Sequence, residues 1–185
     1  MLTEWGKQLD PANVLPEYPR PQMVRDSLFL LNGTWEYGIT HLEEPPVAYE
    51  GPILVPFSPE SPLSGVRRIL QPHQTLWYRR SFRLPDGFSG GRVLLHFGAV
   101  DQEASVFLNG TRVKKHMGGY LPFTVDITAQ LQEENELVVS VRDWSDTSYH
   151  SRGKQTLKRG GIWYTPQSGI WRNFSSYGTL RHQRR

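Results

Sequence analysis

Along residues 92–113 apolar and polar side chains alternate with a period of two, with a single interruption. Val93, Leu95 and Phe97 form one apolar row, and Val106 and Leu108 form a second. A period of two puts successive side chains on opposite faces of a strand, so each run predicts a β-strand with one buried face. Residues 98–102 separate the runs and read as a polar turn or crossover. Asn109-Gly110 follows the second run; both positions tolerate positive φ, as a type I′ turn requires, and 111–113 begins a return strand.

The same pattern recurs on both sides of this stretch. Residues 28–37 predict a strand with Trp35 and Tyr37 on one face and Asn32-Gly33 as a turn. Ile53 to Val55 is a short strand stopped by Pro56. In 76–84, Tyr78, Phe82 and Leu84 face inward with Arg80 among them, while Trp77, Arg79, Ser81 and Arg83 face solvent. Phe123, Val125 and Ile127 make another row, as do Leu137, Val139 and Val141. Thr128 to Leu131 predicts one helical turn, and 169–174 reads as the last strand. Many short strands, Gly- and Pro-rich turns and no long amphipathic helix predict an all-β sandwich. Val93, Leu95, Phe97, Val106, Leu108, Val139 and Val141 should share its core.

Outside those rows the pattern fails in three places. Residues 1–27 are polar and Pro-rich, and read as an extended arm lying on the domain. Residues 143–161 are polar and rich in Ser, Lys and Gly; a loop that long in a small domain is uncommon and often functional. Residues 175–185 are polar and basic and read as a tail at a truncated end. The sandwich is thereby placed at 28–174.

Composition narrows the function classes. At 185 residues the chain fits one domain, large enough to bury a core. It has no Cys, so neither disulfides nor thiolate metal sites are available. No apolar run is long enough to span a membrane, and the first residues lack an apolar signal core. A soluble, cytoplasmic protein is expected, with a removed signal peptide as the alternative. The net charge of +3 comes from scattered basic residues, apart from Arg181, Arg184 and Arg185, and no basic stripe suggests a nucleic-acid partner. His41, His73, His96, His116, His150 and His182 are not paired at metal-ligand spacing. The glycine pairs do not open helices as phosphate cradles do. No metal or cofactor is expected. Of the Asn-x-Ser/Thr sites at Asn32, Asn109 and Asn173, the first two read as turns.

Several segments carry a family resemblance. They are HFGAVDQEASVFLNG (96–110), Leu31-Asn-Gly-Thr-Trp35, Val55-Pro56 with Pro59-Glu-Ser-Pro62, and Trp77-Tyr-Arg-Arg-Ser-Phe82. Gly118-Gly-Tyr120 before Phe123-Thr-Val-Asp-Ile127 follows, then Glu134-Asn-Glu-Leu137, then GIWYTPQSGIW (161–171). In this order they resemble the N-terminal sugar-binding domain of glycoside hydrolase family 2, which includes beta-galactosidases, beta-glucuronidases and beta-mannosidases. The resemblance implies a jelly-roll of the galactose-binding type. It also implies a carbohydrate (beta-glycoside) partner, and a catalytic barrel and immunoglobulin-like domains as neighbours in a parent enzyme.

Glycoside cleavage needs two carboxylates facing across the scissile bond. In the resembled family both are Glu of a separate βα barrel, which needs about 250 residues of its own. Asn135-Glu136 matches the Asn-Glu pair of such an acid but sits in a sandwich turn, so no catalytic residue is assigned. In several family members a carboxylate of this domain reaches toward the sugar, five residues before the Ser of the last Ser-Gly-Ile segment. Counting back from Ser168 gives Trp163 here. The candidate sugar-binding residues are therefore Trp163 and Tyr164, which can cover the C–H face of a ring. With them go Asp143 and Asp146, the nearest carboxylates able to accept from hydroxyls. The expected function is a non-catalytic domain that completes the substrate pocket of a glycosidase. A stand-alone carbohydrate-binding module and a structural remnant with an exposed apolar patch are the alternatives.

Overall fold

A computed structural model describes residues 2–17, 27–41, 43–86, 88 and 91–180. The alternating rows form strands of two facing antiparallel sheets. One sheet contains β1 (Leu28–Leu30), β5 (Gly91–Phe97), β9 (Phe123–Asp126) and β12 (Phe174–Leu180), ordered β1-β12-β5-β9. The other contains β2 (Gly33–Thr40), β3 (Gly51–Val55), β4 (Thr75–Phe82), β7 (Glu103–Leu108), β8 (Thr111–Met117) and β10 (Asn135–Arg142), ordered β3-β2-β4-β10-β7-β8. A two-stranded ribbon of β6 (Val100–Asp101) and β11 (Gly169–Ile170) stands beside the two sheets. The result is an all-β sandwich. Among the described residues no helix is long and apolar enough to cross a membrane.

Register explains the core. Val139 lies opposite Tyr78 on β4 and Val106 on β7, and Leu137 lies opposite Leu108, so one face of β4, β10 and β7 presents a continuous apolar layer. Val93, Leu95 and Phe97 meet it from the other sheet, and every residue of the expected core is fully buried in one cluster. Aromatic rings fill the centre: Phe97 stacks on Phe174 at 4.2 Å and on Phe123 at 4.6 Å, and Trp35 lies 5.6 Å from Phe174. Offset and edge contacts of this kind add about 0.5–1.5 kcal/mol each to the area buried.

The fold departs from the alternation where polar or small residues are enclosed. Residues 98–102 are the crossover rather than a polar turn: Ala99, Val100, Asp101 and Gln102 are all buried, because this segment carries the chain from one sheet to the other. Trp77 does not face solvent; it is 4% exposed. Its Cα neighbours are Gly38 and Ser140, small enough for the indole to lie over the sheet, where Nε1 donates to Thr40 Oγ1 at 2.9 Å. Asn32-Gly33 is no hairpin but a crossing between sheets. The buried Asn32 amide donates to Val14 O at 3.2 Å, and its Oδ1 accepts from Phe174 N at 2.9 Å. That bond anchors the N-terminal arm, which is not extended throughout: Thr3 caps a one-turn helix, α1 (Glu4–Lys7). The last strand does not stop at Phe174. Ser175 and Ser176 are buried and pair with His96 and Leu95, so β12 runs on to Leu180 in the interior of its sheet.

The hairpin read from Asn109-Gly110 forms, with φ of 50° and 79°. Asn109 Nδ2 donates to Gln130 O at 2.8 Å and to Asn135 Oδ1 at 3.1 Å, and its Oδ1 accepts from Glu136 N at 2.9 Å. Asn135 is thus a buried structural amide and Glu136 an exposed residue, and both open strand β10 rather than lying in the turn expected for that pair. Asn109→Ala removes these bonds and puts Ala in the left-handed region, so it should cost about 2 kcal/mol. A urea titration in which the midpoint falls with an unchanged slope would show it; a shift below about 0.5 kcal/mol would contradict it.

Candidate functional site

At one end of the sandwich four pieces of chain converge on the β6–β11 ribbon. Asp101 pairs with Gly169, and Val100 with Ile170. Gln102 N donates to Arg142 O at 3.2 Å, and Gly118 N donates to Gln102 O at 2.9 Å. The end of β10 and the turn after β8 are therefore both stitched to Gln102, directly after β6. Gly119 lies directly against the Asp101 carboxylate, with no room for a Cβ between them. Trp171 Nε1 donates to Gly119 O at 2.8 Å, and the Tyr120 ring meets Trp171 edge-on at 6.2 Å.

Glu60 braces the other side. Its carboxylate accepts from Ser168 Oγ at 2.7 Å, Ser168 N at 3.1 Å and Leu70 N at 3.2 Å. Ser58 Oγ donates to Gln167 Oε1 at 2.5 Å, Gln167 N donates to Gln155 Oε1, and Gln155 Nε2 reaches Tyr120 Oη at 3.4 Å. This chain of bonds ties the 143–168 loop to the rim residue Tyr120.

Burial dominates the electrostatics here. Asp101, 4% exposed, has its pKa pushed up to about 7, first by burial and then by the charges of Asp143 and Glu60. Asp143 and Glu60 are also raised by burial; the Ser145 N–H bond opposes this in Asp143 and the Ser168 bond in Glu60. The Tyr120 phenol is raised by burial and by the Asp101 charge. Asp101 Oδ1, Gln102 Oε1, Ser145 Oγ and Arg152 Nε are buried atoms with no hydrogen-bond partner among the described residues. Such atoms are few in folded proteins.

The four candidates from the sequence all lie at this end but in different states. Asp143 is turned into the fold, 5% exposed, and accepts from Ser145 N at 2.7 Å. Asp146 is half-buried, and its Oδ1 accepts from Leu157 N at 3.2 Å across the loop. Trp163 and Tyr164 stand on the returning arm, 43% and 66% exposed. That arm is held by Tyr164 N donating to Lys154 O at 2.9 Å and Thr156 N donating to Tyr164 O at 3.1 Å. The sequence reading gave no role to Asp101, Glu60 or Tyr120. An acidic residue directly after the apolar Ala99-Val100 was the available signal for Asp101. Among the described residues no group of three or more His, Asp or Glu is arranged to hold a metal ion. Two shallow depressions lie elsewhere. Asn109, Asn135 and Arg83 help line one, and Trp35, Pro52 and Arg79 the other.

Comparison with known proteins bears on this end. The family model for "Glycosyl hydrolases family 2, sugar binding domain" matches residues 48–179. A beta-glucuronidase of Formosa agariphila is 33% identical over 100 residues, covering 54% of this chain and 10% of the relative. A beta-galactosidase of Thermoanaerobacter pseudethanolicus is 41% identical over 92 residues, covering 47% of this chain and 12% of the relative. The solved structure of a Bifidobacterium dentium beta-glucuronidase superposes with a TM-score of 0.65 at 25% identity, over 85% of this chain and 31% of that one. The chain therefore spans about a tenth of the length of those relatives and about a third of the solved enzyme. With the family match running from just before β3 almost to the end of β12, the chain belongs to the sugar-binding domain of glycosyl hydrolase family 2.

Proposed function

We propose that this domain forms one wall of the substrate mouth of a beta-glucuronidase- or beta-galactosidase-type enzyme, whose catalytic carboxylates lie in a separate barrel. The observation that carries the reading is the end built on β6 and β11. Two exposed aromatics, Trp163 and Tyr164, stand there on a braced loop that begins with the carboxylates Asp143 and Asp146. Flat aromatic faces suit the C–H face of a sugar ring, and carboxylates accept from its hydroxyls. In this arrangement Trp163, Tyr164 and Asp146 face the sugar, while Asp143 fixes the start of the loop from beneath through Ser145. The kinship to proteins named beta-glucuronidase and beta-galactosidase supports the substrate class.

One wall of a pocket binds weakly. Titration with glucuronic acid and galactose, followed by NMR, should give dissociation constants in the millimolar range, corresponding to about 4 kcal/mol. The shifted amides should fall within 143–164, and Trp163→Ala should abolish the shifts without lowering the melting temperature. Shifts confined to the opposite end, around Asn109 and Asn135, would refute the assignment. Micromolar binding would favour a module that acts without a barrel.

A further inference from the structure

The charge of the chain is unevenly placed. The 143–168 loop holds four of the 21 Lys and Arg and two of the 18 Asp and Glu. Two of the chain's three net positive charges thus belong to this one loop. Its cations are Arg152, Lys154, Lys158 and Arg159. Among the described residues none of them is in an ion pair. Lys154, Lys158 and Arg159 are exposed; Arg152 is half-buried, with Nε unpartnered. The acids of this loop, Asp143 and Asp146, accept from Ser145 N and Leu157 N within it.

These cations share their surface with the aromatics. Gln155 bridges to Tyr164 and Gly160 to Trp163, which lays Lys154 beside Tyr164 and Arg159 beside the turn that presents Trp163. Arg159 Nη1 donates to Thr165 Oγ1 at 3.3 Å. Elsewhere in the chain several Arg side chains are in ion pairs, Arg79 with Glu36, Arg83 with Glu134, Arg92 with Asp126 and Arg142 with Glu43, while exposed Arg67 and Arg112 are in no ion pair among the described residues. Uncompensated cations gathered around exposed Ile162, Trp163 and Tyr164 repel one another, and an anionic ligand relieves that repulsion.

We infer that this loop selects an anionic glycan. Trp163 and Tyr164 stack on the sugar rings, and Arg152, Lys154, Lys158 and Arg159 pair with the carboxylate or sulfate groups they carry. The inference rests on the sugar-facing assignment proposed above and adds the charge of the ligand. Arg forks match carboxylate and sulfate oxygens in pairs, and partial burial of Arg152 strengthens that bond. A single-stranded nucleic acid also combines stacking with cations. It also needs a basic groove that tracks its backbone, and an oligothymidylate probe tests for one.

The test is calorimetric titration of the whole chain at low ionic strength with tetragalacturonate, a chondroitin sulfate tetrasaccharide and neutral cellotetraose. Either anionic probe should bind at least about tenfold more tightly than the neutral one, a difference of about 1.4 kcal/mol. Added salt should remove most of that preference. Whichever anion binds better identifies the acid group. Lys154→Gln with Arg159→Gln should lower the anionic affinities about tenfold and leave cellotetraose unchanged, whereas Trp163→Ala should weaken all three. Equal affinity for neutral and anionic probes would overturn the inference and leave the sugar-facing assignment standing. So would a loss of anionic binding seen only on changing Arg181, Arg184 and Arg185 to Gln. Oligothymidylate binding as tightly as the glycans would show a site for polyanions in general, which also overturns it. No glycan binding that depends on Trp163 would overturn both readings.

Discussion

Gly169→Ala should destabilise the domain by about 3–4 kcal/mol, a large part of the 5–15 kcal/mol that holds a domain of this kind folded. Two independent costs meet at this position. Gly169 has a φ of +78°, where an L side chain strains by about 1–2 kcal/mol. A Cβ there would also collide with Tyr78 Oη and approach Tyr78 Cζ to 3.1 Å and Leu76 Cδ2 to 3.2 Å. Both neighbours are fully buried, and overpacking in such a place costs about 1–3 kcal/mol. Tyr78 cannot swing aside freely, because its hydroxyl accepts from Ile170 N at 3.2 Å. Tyr78→Phe should cost about 1–2 kcal/mol by itself, since it strips Ile170 N of its acceptor. In the double variant the two changes should fall short of additivity, because the missing hydroxyl makes room for the new methyl. Urea unfolding of the four proteins measures the cycle. A cost below about 1 kcal/mol for Gly169→Ala would mean that the β6–β11 ribbon does not lie against Tyr78 as described.

The same position shows what sequence reading reached and where it stopped. Val93, Leu95, Phe97, Val106, Leu108, Val139 and Val141 announced themselves because period-two burial is a local property, and all of them are in the core. The Asn109-Gly110 turn was equally legible, since two adjacent positive φ values leave few residue choices. The Ser-Gly-Ile segment was visible as a family motif, but its reason was not: the glycine answers to Tyr78, some 90 residues away. Asp101 and Glu60 were passed over for a related cause. Each is a carboxylate enclosed by segments distant in sequence, and no pattern within a few residues separates a buried acid from a surface one. Ser175 and Ser176 failed in the opposite direction. They read as solvent-facing, yet β1 and β5 flank them and they are buried. Of the candidate site, Trp163 stands out by its position five residues before Ser168, whereas the brace from Ser58 through Gln167 and Gln155 to Tyr120 exists only in three dimensions.

Asp101→Asn should reverse a pH dependence of stability rather than simply weaken the fold. In the folded chain burial and the neighbouring charges of Asp143 and Glu60 raise Asp101 from 3.8 to about 7. Between about pH 4 and pH 7 the folded state therefore holds a proton here that the unfolded state has released. Stability rises with pH only where the unfolded state binds more protons, so this residue makes stability fall across that window and level off above it. Each pH unit of the window corresponds to about 1.4 kcal/mol, which sets an upper bound of about 4 kcal/mol at pH 8. Asn has the shape of the neutral acid, fits beside Gly119 and does not ionise. The variant should therefore gain on the parent as pH rises from 4 to 8, by about 2–4 kcal/mol, whatever constant offset the new amide introduces. Comparing the two proteins removes most of the contribution of the other titrating groups nearby, Asp143, Glu60, His150 and Tyr120, because both chains carry them. Thermal or urea unfolding of parent and variant at several pH values would measure the difference. A gap that stays constant from pH 4 to pH 8 would show that Asp101 is ionised throughout. The carboxylate would then have a partner or solvent contact, which its burial against Gly119 does not provide.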